Sequence, residues 1–163
     1  LVDINEALET TINIAWNEIK YVAELKKELG EVPPIRCFPQ QLNQVFLNLL
    51  VNAAHAIGSS HGTITVKTWS DRSDIYVSVS DTGCGIPADI RTRIFEPFFT
   101  TKEVGKGTGL GLAMVLDVVK RYGGQISVDS APGCGSEFHL FLPADHPALD
   151  GTDPLTARST FPT

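Results

Sequence analysis

Asn48 and Asn52 stand four residues apart in a segment where Leu42, Val45, Phe46, Leu49, Leu50, Ala53 and Ile57 recur at helical spacing. A four-residue step puts both amides on one face of a helix. The apolar set turns toward a core. Two amide oxygens on a rigid face suit Mg²⁺, a hard cation that takes oxygen ligands and keeps several waters. Neutral ligands fit best where substrate phosphates balance most of the metal's charge. Taken alone, the pair also fits a blander role in which each amide only bonds nearby backbone, because Asn competes for such bonds.

A second candidate is Asp81-Thr82-Gly83-Cys84-Gly85, directly after an alternating segment. The glycines allow a sharp turn and close backbone approach. A carboxylate at that turn can accept a hydrogen bond from an adenine amino group, where guanine would present a repelled carbonyl. A simple Asp-Gly turn is the competing description. A third candidate is Gly105-Lys106-Gly107-Thr108-Gly109-Leu110-Gly111-Leu112, running into a helix start. Free N–H groups at such a start favour anions, and Lys106 adds charge. No Gly-Lys-Ser/Thr ends the run, so it is not a P-loop, and no strand precedes it as a dinucleotide fingerprint requires. A merely flexible loop remains the alternative. Between these motifs lies Ile94-Phe95-Glu96-Pro97-Phe98-Phe99-Thr100-Thr101-Lys102, whose aromatics must dock on something. Phe95 is either core or part of an anchor to a partner domain. Arg93 and Lys102 flank the cluster within reach of phosphates.

The elements that must position these residues are legible in part. Asn5 is placed as the cap of a helix beginning at Glu6. Tyr21, Ala23 and Leu25 alternate with Val22, Glu24 and Lys26, which suggests a strand, although a continued helix also fits. Ile35 to Phe38 reads as a short strand. Pro39 opens the helix that carries both Asn residues, and Gly58 closes it. Thr63 to Thr68 and Ile75 to Ser80 form a hairpin around a polar turn at Ser70 to Ser73. Residues 82 to 107 lack a long periodic segment, which marks a functional or mobile connection. A helix from about Gly109 to Tyr122 follows. Gln125 to Asp129 and Glu137 to Leu142 pair around Pro132-Gly133-Cys134-Gly135. Residues 1–143 read as one domain. Residues 144–163 are expected to be a poorly ordered tail.

The 163 residues suit one domain, and 42% of them are hydrophobic, enough for one core. A net charge of −6 argues against nonspecific nucleic-acid binding. No apolar run approaches the ~20 residues of a membrane span, and no signal peptide is visible. Cys37, Cys84 and Cys134 form no metal or disulfide framework, which fits a reducing cytoplasm. The first residue is Leu1, so the chain reads as a piece of a longer protein whose other parts could include a membrane anchor.

With these motifs in order, the chain resembles the catalytic ATP-binding domain of bacterial sensor histidine kinases, within the superfamily shared with gyrase, Hsp90 and MutL. Asn48-Leu49-Leu50-Val51-Asn52-Ala53 is similar to the family's N box, and Asp81-Thr82-Gly83-Cys84-Gly85 to its first glycine box. Phe95-Glu96-Pro97-Phe98-Phe99 is similar to the F box, Gly107 to Leu112 to the second glycine box, and Gly133 to Ser136 to the last. The resemblance spans about Val2 to Pro143. It implies an α/β two-layer sandwich with a mixed, mostly antiparallel sheet of about five strands and three main helices on one face. It implies Mg²⁺ and ATP as ligands. Asn52 would hold the metal, supported by Asn48, and Asp81 would contact the adenine amino group. Gly83, Gly85, Ile86, Leu110 and Leu112 would lie at the nucleotide, with Ser136 holding the adenine edge through water. Lys102, Lys106 and the run Gly107, Thr108, Gly109 and Gly111 would wrap the phosphates. His55 stands where some members have a cation, and an ordinary surface role suits it better.

The superfamily's hydrolases place a Glu one turn before the metal-binding Asn. Asn48 fills that position here, and an amide has no useful basicity. The resemblance therefore implies a kinase rather than an ATPase. None of His55, His61, His139 and His146 lies in an acceptor motif. The acceptor histidine is expected on a dimerisation domain of the parent protein, for relay to a response regulator aspartate. The chain itself is expected to be monomeric. An anti-sigma-type serine kinase and a degenerate nucleotide-binding module are the alternatives. The Phe-Glu-Pro-Phe-Phe-Thr-Thr-Lys stretch speaks against the first, and the intact boxes against the second.

Overall fold

The structure, a computed structural model, describes residues 1–97 and 111–143. Helix α1 (Ile4–Ile19) leads into strand β1 (Ala23–Leu29), then helix α2 (Pro39–Ile57). Strands β2 (Gly62–Asp71) and β3 (Asp74–Asp81) follow, then the short helix α3 (Ala88–Arg91). Helix α4 (Gly111–Arg121) and strands β4 (Gln125–Ser130) and β5 (Ser136–Leu142) complete the fold.

The five strands form one sheet in the order β1-β2-β3-β5-β4. Only β1 and β2 run parallel, because α2 carries the chain back between them. The other pairs are antiparallel. Ile64, Val66, Val77, Val79, Phe138 and Leu140 point to one face and share a single core with α1, α2 and α4. The sequence expectation of a two-layer sandwich with a mixed, mostly antiparallel sheet therefore holds. On the other face Trp69 stacks on Tyr76 at 5.6 Å, and Tyr76 meets Phe141 at 5.4 Å. No helix among the described residues is long and apolar enough to cross a membrane.

Three local expectations change. The cap of α1 is Asp3, whose carboxylate accepts from the N–H groups of Asn5 and Glu6. The Asn5 side chain instead donates to Gly30 O at 2.7 Å and accepts from Thr68 Oγ1 at 2.7 Å, tying α1 to the sheet. An Asp3→Ala variant is expected to lose about 1 kcal/mol of stability, read as a lowered urea midpoint at unchanged slope. Second, Ile35 makes only one bridge, to Val2, and no strand forms. Pro33 and Pro34 have no N–H to donate, so pairing cannot propagate backward from Ile35. Third, the β2–β3 strands extend through Asp71 and Asp74, leaving a two-residue turn. Arg72 (φ 54°) and Ser73 (φ 70°) both take positive φ, the primed-turn geometry that matches strand twist. Neither residue is the usual Gly or Asn, so the polar sequence marked a turn here but not its two-residue primed type.

Candidate functional site

Helix α2 is the spine of the site. Pro39 starts it, and its buried stripe includes Leu42, Phe46, Leu49, Leu50 and Ala53. Asn48 and Asn52 sit half-buried between that stripe and solvent. Asn48 Nδ2 donates a long hydrogen bond, 3.4 Å, to Gly111 O at the start of α4. Only the amide NH₂ can donate to a carbonyl, so this contact orients the planar amide group and leaves Oδ1 as the acceptor. The two amides are oxygen donors of the kind Mg²⁺ takes, and α2 contains no carboxylate anywhere along its length. The donor set thus fits Mg²⁺ held jointly with phosphate oxygens. The first turn of α4 carries no acidic residue to repel an anion at that helix start.

The Asp81 turn docks at the far end of α2. Cys84 N donates to Ala56 O at 3.1 Å. Gly83 lies so close that a Cβ there would sit 2.5 Å from the Ala56 carbonyl carbon. Ala56 is one turn beyond Asn52. At 1.5 Å per residue, about 12 Å of helix axis separates the Asn48–Gly111 contact from the turn. Gly85 adopts φ +74°, and a side chain there would collide with Ala131 O. Those two glycines are therefore dictated by contact and conformation together.

Asp81 ends β3 and is 8% exposed. Its Oδ1 accepts from Gly83 N at 2.8 Å. Burial raises the carboxyl pKa above its ordinary 3.8, and the N–H groups of Gly83 and Ser136 pull it partly back. A raised folded pKa means that this group favours the fold at low pH, and that its contribution is lost as pH rises through the folded value. A ligand that needs the ionised carboxylate must bind in the opposite direction and lower that pKa. The expected result is a ¹³C-carboxyl titration of Asp81 with its midpoint above 3.8, moving down when adenine nucleotide is added. A midpoint unmoved by nucleotide would detach Asp81 from the ligand.

Ser136 is 7% exposed and pairs with Asp81 across β3 and β5. Its hydroxyl lies 2.9 Å from Ser130 Oγ. Ser130 Oγ accepts from Ile86 N at 2.7 Å and lies 2.9 Å from Gly135 O. Ser130 has one proton, and the Gly135 carbonyl must receive it, so Ser136 is the donor of the pair. Arg91 Nη1 donates to Ser130 O at 2.6 Å. Ser130 and Arg91 thus join the glycine turn, α3 and the β4–β5 turn. The sequence reading missed both, because only the strand register brings them there.

A family model described as histidine kinase-, DNA gyrase B-, and HSP90-like ATPase matches residues 38–146. The chain belongs to that family. The matched stretch holds every motif described above. The sensor kinase CckA of Brucella abortus is 44% identical over 136 residues, covering 74% of this chain and 14% of that protein. The catalytic domain of the histidine kinase ThkA superposes with a TM-score of 0.77 at 29% identity, covering 88% of this chain and 95% of that one. Full-length ShkA in complex with AMPPNP superposes with a TM-score of 0.77 at 29% identity, covering 96% of this chain and 32% of ShkA. The chain therefore spans a small part of the length of its full-length relatives. It is an ATP-binding catalytic domain of the sensor histidine kinase type.

Within this domain the fold sets Asn48 against Gly111 and Gly83 against the end of α2, with Asn52 between them on the helix. Ser136 stands beside Asp81, and Gly85 and Ile86 lie against the β4–β5 turn. Leu112 is half-buried beside them at the start of α4 and packs on the core. Arg93 pairs with Glu96 at 3.2 Å rather than lying isolated. Phe95 packs edge-on against Phe138 at 6.4 Å, so it is an extension of the core. His55 makes a surface contact with Glu18 at 3.5 Å. Phe98, Phe99, Lys102, Lys106, Gly107, Thr108, Gly109 and Leu110 lie outside the described residues, as does the 144–163 tail.

Proposed function

We propose that this domain, residues 1–143, binds Mg²⁺-ATP and donates its γ-phosphoryl group to a histidine on a dimerisation domain of the parent protein. The phosphohistidine would then be discharged onto an aspartate of a response regulator in the cytoplasm. The carrying observation is the chemistry of α2: amides at both 48 and 52, and no carboxylate on the helix. A water-activating base is missing where a hydrolase needs one, so the nucleophile must come from another domain. Nucleotide occupancy in ShkA supports the same ligand class here.

In this reading Asp81 accepts from the adenine amino group, with Ser136 beside it. Asn52, supported by Asn48, supplies amide oxygens to Mg²⁺. The metal, when bound, neutralises charge on the transferring phosphoryl group. The start of α4 and the glycines of 107–111 would wrap the phosphates. The domain's work is positioning and charge stabilisation.

Transfer tests the proposal directly. Incubation with γ-labelled ATP and Mg²⁺ should leave the domain unlabelled. Adding a dimerisation domain from a related sensor kinase should yield acid-labile phosphohistidine on that partner. Acid-stable phosphoserine on a partner would instead support a serine kinase. Rapid phosphate release without any acceptor would sink the kinase reading.

A further inference from the structure

On the open face of the sheet, away from α2, Asp129, Glu137 and His139 gather at the β4–β5 edge. Asp129 stands directly opposite Glu137, and His139 lies two residues along β5 on the same face. Their ligating atoms all lie within 4.8 Å of one another. His139 Nε2 is 3.2 Å from Asp129 Oδ2 and 3.3 Å from Glu137 Oε1. From this cluster we infer that Asp129, Glu137 and His139 form a surface site for a divalent transition-metal ion, with Zn²⁺ the best chemical match.

Three observations carry the inference. Like charges directly opposite on paired strands repel, yet Asp129 and Glu137 converge. One imidazole nitrogen carries at most one proton, which cannot serve both carboxylates fully. A divalent cation bridging all three groups removes that conflict. The spacing also fits: metal–ligand bonds of about 2.0–2.1 Å in a tetrahedron separate ligand atoms by about 3.4 Å, close to the 3.2 and 3.3 Å found. Imidazole with carboxylates favours zinc over Mg²⁺ or Ca²⁺.

The third observation is independent of the ligands. Ser78 stands opposite His139 on the neighbouring strand β3, on the same face. It is 1% exposed, and its hydroxyl has no hydrogen-bond partner among the described residues. A metal-bound histidine donates its second ring N–H to an outer partner that fixes the tautomer. Ser78, opposite His139 in the sheet register and without a partner of its own among the described residues, would be that outer partner. Zinc ligation through Nε2 would release the proton from that nitrogen and satisfy a buried hydroxyl together.

The test is titration of the nucleotide-free chain with Zn²⁺ against a chromophoric chelator, with histidine ring ¹⁵N shifts followed in parallel. The expected result is one Zn²⁺ per chain with a shift of the His139 ring nitrogens. His139→Ala and the near-isosteric Glu137→Gln should each weaken binding at least tenfold, and Ser78→Ala several-fold. Cys84→Ser and Cys134→Ser should leave it unchanged. Circular dichroism confirms that each variant is folded. Wild-type affinity in both His139→Ala and Glu137→Gln, or binding lost only with the cysteines, would overturn the site. Zn²⁺ bound with no change at the His139 ring would do the same.

Discussion

Asp81→Asn is expected to weaken ATP binding about a hundredfold while the domain stays folded. The carboxylate already spends one oxygen on Gly83 N at 2.8 Å. In the proposed function the carboxylate also accepts from the adenine amino group, beside the N–H of Ser136. In the variant, the amide oxygen can keep the Gly83 bond, which turns the NH₂ toward the adenine. Donor then faces donor, and a buried group loses its partner. Charged hydrogen bonds of this kind are worth about 1.5–3 kcal/mol, and a hundredfold in affinity is about 2.8 kcal/mol. The fold should not suffer. Burial already raises the carboxyl pKa, so ionising this group costs more in the folded state than in the unfolded chain. A neutral amide removes that cost. Guanine presents a carbonyl where adenine presents its amino group, so the variant should also narrow the preference for ATP over GTP. Calorimetry with both nucleotides decides the matter, and unchanged ATP affinity removes Asp81 from the adenine.

The second large effect is expected at Asn52. Asn52→Ala should slow phosphoryl transfer to an added acceptor domain about a hundredfold or more, with little change in nucleotide binding under EDTA. Phosphoryl transfer depends on charge neutralisation at the phosphates and on accurate placement, and Asn52 is the amide assigned to Mg²⁺ in the proposed function. Alanine is the better helix former, so helix α2 and the core beneath it should be retained. The measurement is a single-turnover transfer rate across a Mg²⁺ series, beside a nucleotide titration without metal. An equal loss of binding with and without Mg²⁺ would show that Asn52 acts on the nucleotide or the fold rather than through the metal.

Much of this domain was legible in one dimension because its strongest signals are local. The apolar stripe of α2 repeats over the 19 residues from Pro39 to Ile57. That repeat alone places Asn48 and Asn52 on a common face. The Asp81 turn announces itself by a carboxylate at a strand end followed by two glycines, and the structure gives contact reasons for both glycines. The order of the boxes pointed to the family that residues 38–146 match. Short elements were less legible. A cap is decided by which side-chain oxygen reaches the first N–H groups, and Asp3 reaches them where Asn5 was expected. The turn at Arg72 and Ser73 is imposed by pairing on either side, not by its own residues.

The sequence by itself therefore determined the helix periodicity, the alternating strands and the residue types suited to a nucleotide and a hard cation. These follow from side-chain period and chemistry, which need no partner from elsewhere in the chain. Tertiary structure alone decided which distant residues meet. Strand register brought Ser136 beside Asp81 and Ser130 beneath Ile86. Helix packing set Asn48 against Gly111 across 63 positions of sequence. Sheet pairing gathered Asp129, Glu137 and His139 on the face opposite the helices. A hydrogen bond or a ligand cluster depends on distances of a few ångströms, and only closure of the sheet and packing of its helices set those distances.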